Sequence, residues 1–238
     1  MITLNKLAFD LINIVRGGIR SDDDTLSLRE VKFWIHNTRA LLISRDLDKH
    51  RSISNNITQS LGCIDVSSVD ASACCGVSVN CTVIRTNTTI PNPIEISAKD
   101  LITRVGPVDL TAPGYTIIPY QRVAWAGKSK WTKTSIFAFL HESYIYVMGG
   151  KEKNINLFKK INVQGVFEDP TEVKTFKNCV GSPCYTDDSE YPISGKHVEV
   201  LKQMILQSNL KIATIAPSDT SGDAKSNFEA PIIERARQ

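Results

Sequence analysis

The first fifty residues place the strongest constraint on the fold, because they have the pattern of two amphipathic helices joined by a short polar turn. Apolar side chains recur at spacings of three and four over residues 2–15, which predicts one helix with a single apolar face. Gly17 and Gly18 follow and favour the end of that helix. Ser21 or one of the three aspartates after it is then expected to cap a second helix over residues 25–48. The sequence therefore predicts an N-terminal helical hairpin.

This hairpin contains no pattern of catalytic residues, so we interpret it as a packing and assembly element. Its apolar faces and its arginines are the candidates for contacts with a neighbouring subunit, since arginine forms bidentate hydrogen bonds with carboxylates. The alternative is that the arginines are solvated or paired with the nearby aspartates. The predicted contact residues of the hairpin are Leu11, Arg16, Arg20, Asp22, Ile35 and Arg39.

Length and composition are those of a globular protein with one large domain, or with helical and strand-rich subdomains. The chain has 238 residues, of which 42% are hydrophobic. A net charge of +3 is too small to attract nucleic acid or a membrane surface by bulk electrostatics. No apolar run is long enough to span a bilayer, and the N-terminus does not read as a signal peptide. We therefore expect the protein to fold in a cytoplasm.

The centre of the chain has the pattern of a β-rich module. Short segments rich in β-branched residues alternate with turn signals, and the clearest hairpin joins residues 136–140 to residues 144–148. Residues 115–125 read as an irregular or edge strand, because Pro119 cannot donate to a ladder. The other predicted strands are 61–69, 81–90, 101–108 and 156–167.

Helical spacing returns near the C-terminus over residues 193–213, and a small polar segment follows from Pro217. We therefore predict an α+β protein in which helices at both ends enclose a sandwich- or barrel-like β module. The predicted units are an N-terminal helical hairpin over 1–60, a β-rich body over 61–190, a C-terminal helix over 191–216 and an extended docking tail over 217–238.

The six cysteines lack the spacing of a common zinc ribbon or finger, because no C-x-x-C pair occurs. In a cytoplasm we expect reduced structural thiols. A zinc site formed by Cys63, Cys75, Cys81 and one other ligand is the alternative. Cys179 and Cys184 flank a Gly-Ser-Pro turn that is able to bring them close.

No catalytic or cofactor motif occurs in the sequence: the histidines are scattered, and the phosphate-loop, dinucleotide-binding and nucleophile-elbow patterns are missing. We therefore predict no enzymatic activity, no cofactor and no metal. Two other functions stay open. One is a small cytosolic thiol enzyme that uses Cys75 or Cys179 with His141. The other is a nucleic-acid-binding module that uses the loop from Lys128 to Lys133 beside two tryptophans.

Several short motifs occur in the order found in one family of phage proteins. In sequence they are Arg16-Gly17-Gly18, Ser21-Asp22-Asp23, Arg39-Ala40-Leu41-Leu42-Ile43, Leu61-Gly62-Cys63, Val69-Asp70, Ile90-Pro91, Val105-Gly106, Tyr191-Pro192-Ile193, Met204-Ile205-Leu206 and Ala216-Pro217-Ser218-Asp219-Thr220. In these motifs the chain resembles the portal-attached ring proteins, which are head–tail adaptor or tail structural proteins, of crAss-like tailed bacteriophages. The resemblance spans most of the chain in outline.

The resemblance implies a structural virion protein that is assembled in the host cytoplasm and forms a homo-oligomeric ring of about twelve copies. It implies the portal protein and neighbouring tail or ring proteins as partners, with genomic DNA close by in a central channel. Pro217 and Asp219 of the tail are then expected to contact a partner. Lys128, Lys130 and Lys133 are expected to face the channel, where positive charge is tolerated without reading of the DNA sequence.

Overall fold

A computed structural model describes residues 2–15, 26–50, 54–70, 82–97, 99–152, 155 and 158–210. Helices from both ends of the chain pack together, and a curled β-sheet half-barrel forms the body. This arrangement confirms the predicted α+β class, with helical ends around a barrel-like module.

Three α-helices form what we call the helical layer. They are α1 (Leu4–Val15), α2 (Leu28–His50) and α3 (Gly195–Ile205), and a π-helix over Leu206–Leu210 continues α3. Because α1 and α3 come from opposite ends of the chain, the layer is complete only when these two helices pack together. The buried side chains that they share are Leu4, Leu7, Ala8, Leu11, Ile12, Val31, Ile35, Leu42, Tyr191, Ile193, Val198, Leu201 and Ile205.

The start of α2 corrects the predicted cap. The helix begins at Leu28, and the hydroxyl of Ser27 accepts from the backbone N–H of Glu30 at 3.1 Å. The carboxylate of Glu30 accepts in return from the backbone N–H of Ser27 at 3.1 Å. This capping box satisfies the first free donors of the helix, and Ser21 and the three aspartates lie outside the described residues.

The body is an eight-stranded sheet in the described part of the chain, with the order β1-β10-β2-β3-β9-β8-β7 and with β6 also paired to β10. Its pairs are antiparallel except β7 with β8, which is parallel. A two-stranded ribbon of β4 and β5 lies beside it. The strands are β1 (Gln59–Ser60), β2 (Ile64–Asp70), β3 (Thr82–Thr86), β4 (Glu95–Ile96), β5 (Lys99–Asp100), β6 (Ile102–Gly106), β7 (Thr116–Ile117), β8 (Ile136–His141), β9 (Tyr144–Gly149) and β10 (Lys160–Gly165).

The hairpin of β8 and β9 forms where the sequence predicts it. Its turn residues Glu142 and Ser143 have φ angles of 48° and 62°, so the two-residue loop has the twist that suits adjacent antiparallel strands. The edge strand predicted over residues 115–125 is shorter than expected. It ends at Ile117, and a 3₁₀ helix over Tyr120–Trp125 follows, because Pro119 has no N–H to continue the ladder and its φ of −67° suits the position before a helix.

Candidate functional site

Three of the hairpin residues that we predicted as partner contacts lie inside the subunit. Leu11, Ile35 and Arg39 each have 0% of their surface exposed. A side chain without exposed surface cannot touch a neighbour while the core is intact. The predicted contact of the hairpin therefore stays a prediction for its other residues. The remaining predicted contacts lie outside the described residues, and they are Arg16, Arg20, Asp22, Pro217 and Asp219.

Arg39 connects the helical layer to the body. Its Nε donates to the carbonyl oxygen of Pro192 at 2.7 Å, and its Nη1 donates to that of Phe167 at 2.7 Å. The guanidinium lies 5.7 Å from the ring centroid of Tyr191, and burial lowers the pKa of Arg39. Pro192 precedes α3 and Phe167 follows β10, so one cation joins α2 to both. The interpretation of Arg39 as solvated or paired with the aspartates is therefore wrong.

The helical layer also exposes apolar surface beside positive charge. Phe33 on α2 is 60% exposed, and it borders a groove of about 690 Å³. Arg29, Lys32 and Lys174 line the same groove, and Lys32 lies 3.5 Å from a carboxylate oxygen of Asp187. An exposed aromatic ring with cations around it is typical of a protein contact surface. This face is one part of the hairpin that is able to meet a partner.

A second exposed surface is the segment over residues 120–133, which we call the tryptophan loop. Trp125 is 77% exposed and Trp131 is 84% exposed. Tryptophan is among the residues that most often contribute binding energy at protein interfaces. The Nζ atom of Lys128 lies 6.0 Å from the ring centroid of Trp125, and that of Lys130 lies 5.7 Å from the ring centroid of Trp131. Aromatic surface and positive charge are thus presented together.

The three lysines of this loop are not equivalent. Lys128 and Lys130 are exposed, whereas Lys133 is partly buried and its Nζ lies 2.6 Å from a carboxylate oxygen of Glu152. Much of the positive charge of Lys133 is therefore balanced within the subunit. The predicted channel-facing role is left mainly to Lys128 and Lys130.

A third surface is a groove of about 250 Å³ near the turn of the β8–β9 hairpin, which we call the carboxylate groove. Its lining combines apolar side chains with three carboxylates, and no lining residue is cationic. Glu95 and Asp100 face each other in the register of β4 and β5. The lining residues are Ile90, Asn92, Pro93, Glu95, Asp100, Leu140, Ser143 and Glu168.

The cysteines depart from the sequence prediction. Cys63 and Cys179 are joined by a disulfide with their Cα atoms 5.2 Å apart, a separation that suits such a bond. The predicted reduced state is therefore wrong for this pair, and Cys179 is paired with Cys63 instead of Cys184. Cys184 is a free thiol whose pKa is raised by burial. Cys75 and Cys81 of the proposed zinc site lie outside the described residues.

Two histidines of the described chain contact tyrosine side chains. His36 Nδ1 lies 2.9 Å from the hydroxyl of Tyr191, and burial lowers the pKa of His36. The ring of His141 stacks on that of Tyr120 with centroids 4.2 Å apart. Within the described ranges, no three His, Cys, Asp or Glu side chains are placed to hold a metal ion, and no helix is long and apolar enough to cross a membrane.

Comparison with protein-family models gives a match over most of the chain. The model of a family described as "Phage tail ring protein 2" matches residues 6–228, which is all but the first five and the last ten residues of the chain. No curated protein matches the chain.

Proposed function

The chain belongs to the phage tail ring protein 2 family of crAss-like phages, and from this premise we propose that it forms a homo-oligomeric ring of about twelve copies in the head–tail connector or tail. The ring stacks on the portal or on a neighbouring ring and surrounds the channel through which DNA passes. The match to the family over residues 6–228 is the observation that carries this proposal.

The exposed surfaces support assembly. A closed ring uses head-to-tail contacts, so each subunit needs two different surfaces that fit one another. The described chain offers separate surfaces of different chemistry: the groove beside Phe33, the tryptophan loop and the carboxylate groove. Exposed apolar patches of large side chains mark interaction sites on soluble proteins. A subunit whose exposed rings become covered in the assembly accounts for them.

The proposal also names the neighbours of the ring, which are the portal or an adjacent ring and the DNA in the channel. Residues 217–238 are small and polar at their start, which suits a segment that docks on an adjacent ring, with Pro217 and Asp219 as its first contacts. Lys128 and Lys130 have two partners compatible with a ring, the phosphates of the DNA in the channel or a neighbouring subunit. The protein is incorporated into the virion after assembly in the host cytoplasm.

We propose a structural role without catalysis. The thiol-enzyme alternative needs a cysteine of lowered pKa beside a base. Cys179 is bonded to Cys63, and Cys75 lies outside the described residues. The nucleic-acid alternative needs an isolated subunit that binds DNA in a salt-dependent manner. The exposed Lys128 and Lys130 are the observation that favours it over the thiol enzyme.

Electron microscopy of virions labelled with an antibody against this protein tests the proposal. We expect label at the portal vertex, and we expect end-on views of the purified ring to show about twelve subunits around an open centre. Label on the capsid surface, or particles without a central opening, would contradict a connector or tail ring.

A further inference from the structure

The tryptophan loop is held in position by its own subunit. Gly127 has a φ of 72°, and a Cβ atom built on it would lie 2.6 Å from the Cα of Gly150, so the backbones at the loop and at the end of β9 approach closely. The backbone N–H of Glu152 donates to the carbonyl oxygen of Lys133 at 3.0 Å, and their side chains form an ion pair. Trp125 and Trp131 are thus presented to solvent from an anchored loop. An anchored loop loses less conformational entropy on binding than one that must first become ordered.

The charge of the loop specifies the chemistry of its partner. Residues 120–133 contain Arg122, Lys128, Lys130 and Lys133, and they contain no acidic residue. The tryptophans require apolar surface, and the exposed lysines require carboxylates or phosphates. A groove with an apolar floor and an anionic rim meets both requirements.

The carboxylate groove on the same chain has this composition. Pro93 and Leu140 are partly exposed and supply apolar surface, Ile90 is buried, and Glu95, Asp100 and Glu168 supply the negative charge. Like charges directly opposite one another destabilise a strand pair, and Glu95 is opposite Asp100. Burial, and then the charge of Glu95, raise the pKa of Asp100. A cationic partner would relieve this repulsion.

The Lys133 end of the tryptophan loop and the carboxylate groove lie at opposite ends of one hairpin, whereas Tyr120 at the start of the loop stacks on His141 near the turn. The tryptophan loop precedes β8 and contacts Gly150 after β9, whereas Leu140 and Ser143 of the groove are at the β8–β9 turn. Six residues of strand separate the two ends, which is about 20 Å. Lys133 is paired with Glu152 beyond the far end of β9, so this end of the loop is held away from the groove of its own subunit. The surfaces are therefore available to different neighbours.

We propose that the tryptophan loop of each subunit docks into the carboxylate groove of the next subunit and that this contact closes the ring. The inference rests on the proposed ring and names its head-to-tail contact. Trp125 and Trp131 cover the apolar surface of the groove, and Lys128 and Lys130 pair with the carboxylates at its rim. The contact gives these lysines a protein partner instead of the channel DNA that the sequence analysis predicts.

Charge exchange in the full-length protein tests the contact. The variants are Lys128→Glu/Lys130→Glu, Glu95→Lys/Glu168→Lys and the combination of all four. Each double variant should weaken subunit association by about tenfold or more, because it places like charges across the contact. The fourfold variant should restore rings, because every reversed charge again meets its opposite. Lys159→Glu/Lys177→Glu, which makes the same charge change at two exposed lysines elsewhere, should assemble like the wild type.

Ring content is measured by light scattering and microscopy, with circular dichroism to establish that each variant is folded. The inference is supported if both double variants lose their rings and the fourfold variant recovers them. Intact rings in all variants would overturn the inference and leave the proposed function in place. Intact rings that bind DNA more weakly would have the same consequence. Failure of the fourfold variant to recover would overturn the groove as the partner. A wild-type protein that forms no ring, alone or with the portal, would overturn both proposals.

Trp125→Ala/Trp131→Ala is a second test that does not change the charge. We expect association weakened by about tenfold or more and an unchanged unfolding midpoint of the monomer, because both rings are exposed there. Normal ring formation by this variant would overturn the inference.

Discussion

The helical layer takes its core from the two ends of the chain, whereas the sheet of the β body forms from strands within residues 59–165. A substitution in the layer therefore affects helices from opposite ends of the chain, and one in the body acts on paired strands, among which β1 and β10 are also distant in sequence. Ile43, Leu47, Ile57, Ile94 and Val166 form an apolar junction between the two regions, and Arg39 adds the polar connection. The comparison teaches that the helical layer is joined to the body by the contacts of α2 at this junction.

The largest effect should come from a charge in the core of the helical layer. Leu11→Asp should lower the free energy of unfolding by about 4 kcal/mol or more, because Leu11 is fully buried and the carboxylate has no partner there. Phe9→Asp is the matched control on the same helix, and since Phe9 is 55% exposed its cost should stay below about 1 kcal/mol. Urea unfolding of the monomer measures both, and equal losses would contradict the assigned faces of α1.

The next effect tests the connection between the two regions. Arg39→Met should cost about 3 kcal/mol, because it leaves the carbonyl oxygens of Pro192 and Phe167 without their donor. Arg39→Lys keeps the charge but not the two-pronged geometry, so it should recover only part of the loss. Denaturant unfolding, followed separately by the spectroscopic signals of the helices and of the aromatic side chains, measures this loss of stability. An unchanged midpoint in Arg39→Met would contradict the role of Arg39 as the connection.

A smaller effect should come from the disulfide of the β body. Cys63→Ser/Cys179→Ser should cost about 2 kcal/mol under oxidising conditions, which is the lower part of the usual range. The reason is that the backbone N–H of Cys63 already donates to the carbonyl oxygen of Lys177 at 3.1 Å and holds the two segments together. Under reducing conditions the variant and the wild type should unfold at nearly the same midpoint. A difference that persists after reduction would mean that the cysteines act through packing instead of the bond.

The smallest effect is a pH dependence confined to the helical layer. Burial lowers the pKa of His36 in the folded protein below its ordinary value of 6.5, so the unfolded chain binds the proton more readily. Stability should be unchanged above about pH 6.5 and should fall as the pH drops below it, by at most about 1.4 kcal/mol per pH unit for this proton. His36→Gln should reduce that slope in urea titrations. The same slope in both proteins would exclude His36 as its source.

The sequence predicts the helices and the main hairpin well, because their signals are local. The apolar spacing of α1 and the short apolar runs of β8 and β9 on either side of a polar turn each specify the element within a few residues. The capping box of Ser27 and Glu30 was also present as a local S-x-x-E signal, and it marks the start of α2 more closely than the aspartates do.

The predictions that are wrong concern contacts between segments that are distant in sequence. Spacing alone does not distinguish a buried arginine from a solvated one, and Arg39 is buried because Pro192 and Phe167 meet it from far along the chain. The pairing of Cys63 with Cys179 joins residues 116 positions apart, so no local pattern indicates it. The acidic and apolar parts of the carboxylate groove are likewise contributed by separate loops and strands.

The mass of the purified protein in solution, measured by light scattering alone and after mixing with the portal protein, tests the central claim most directly. The claim is that this chain is one subunit of a closed ring whose exposed aromatic surfaces are covered by its neighbours. We predict a particle of about twelve subunits, or one that forms only in the presence of the portal. A stable monomer that ignores the portal would contradict the account.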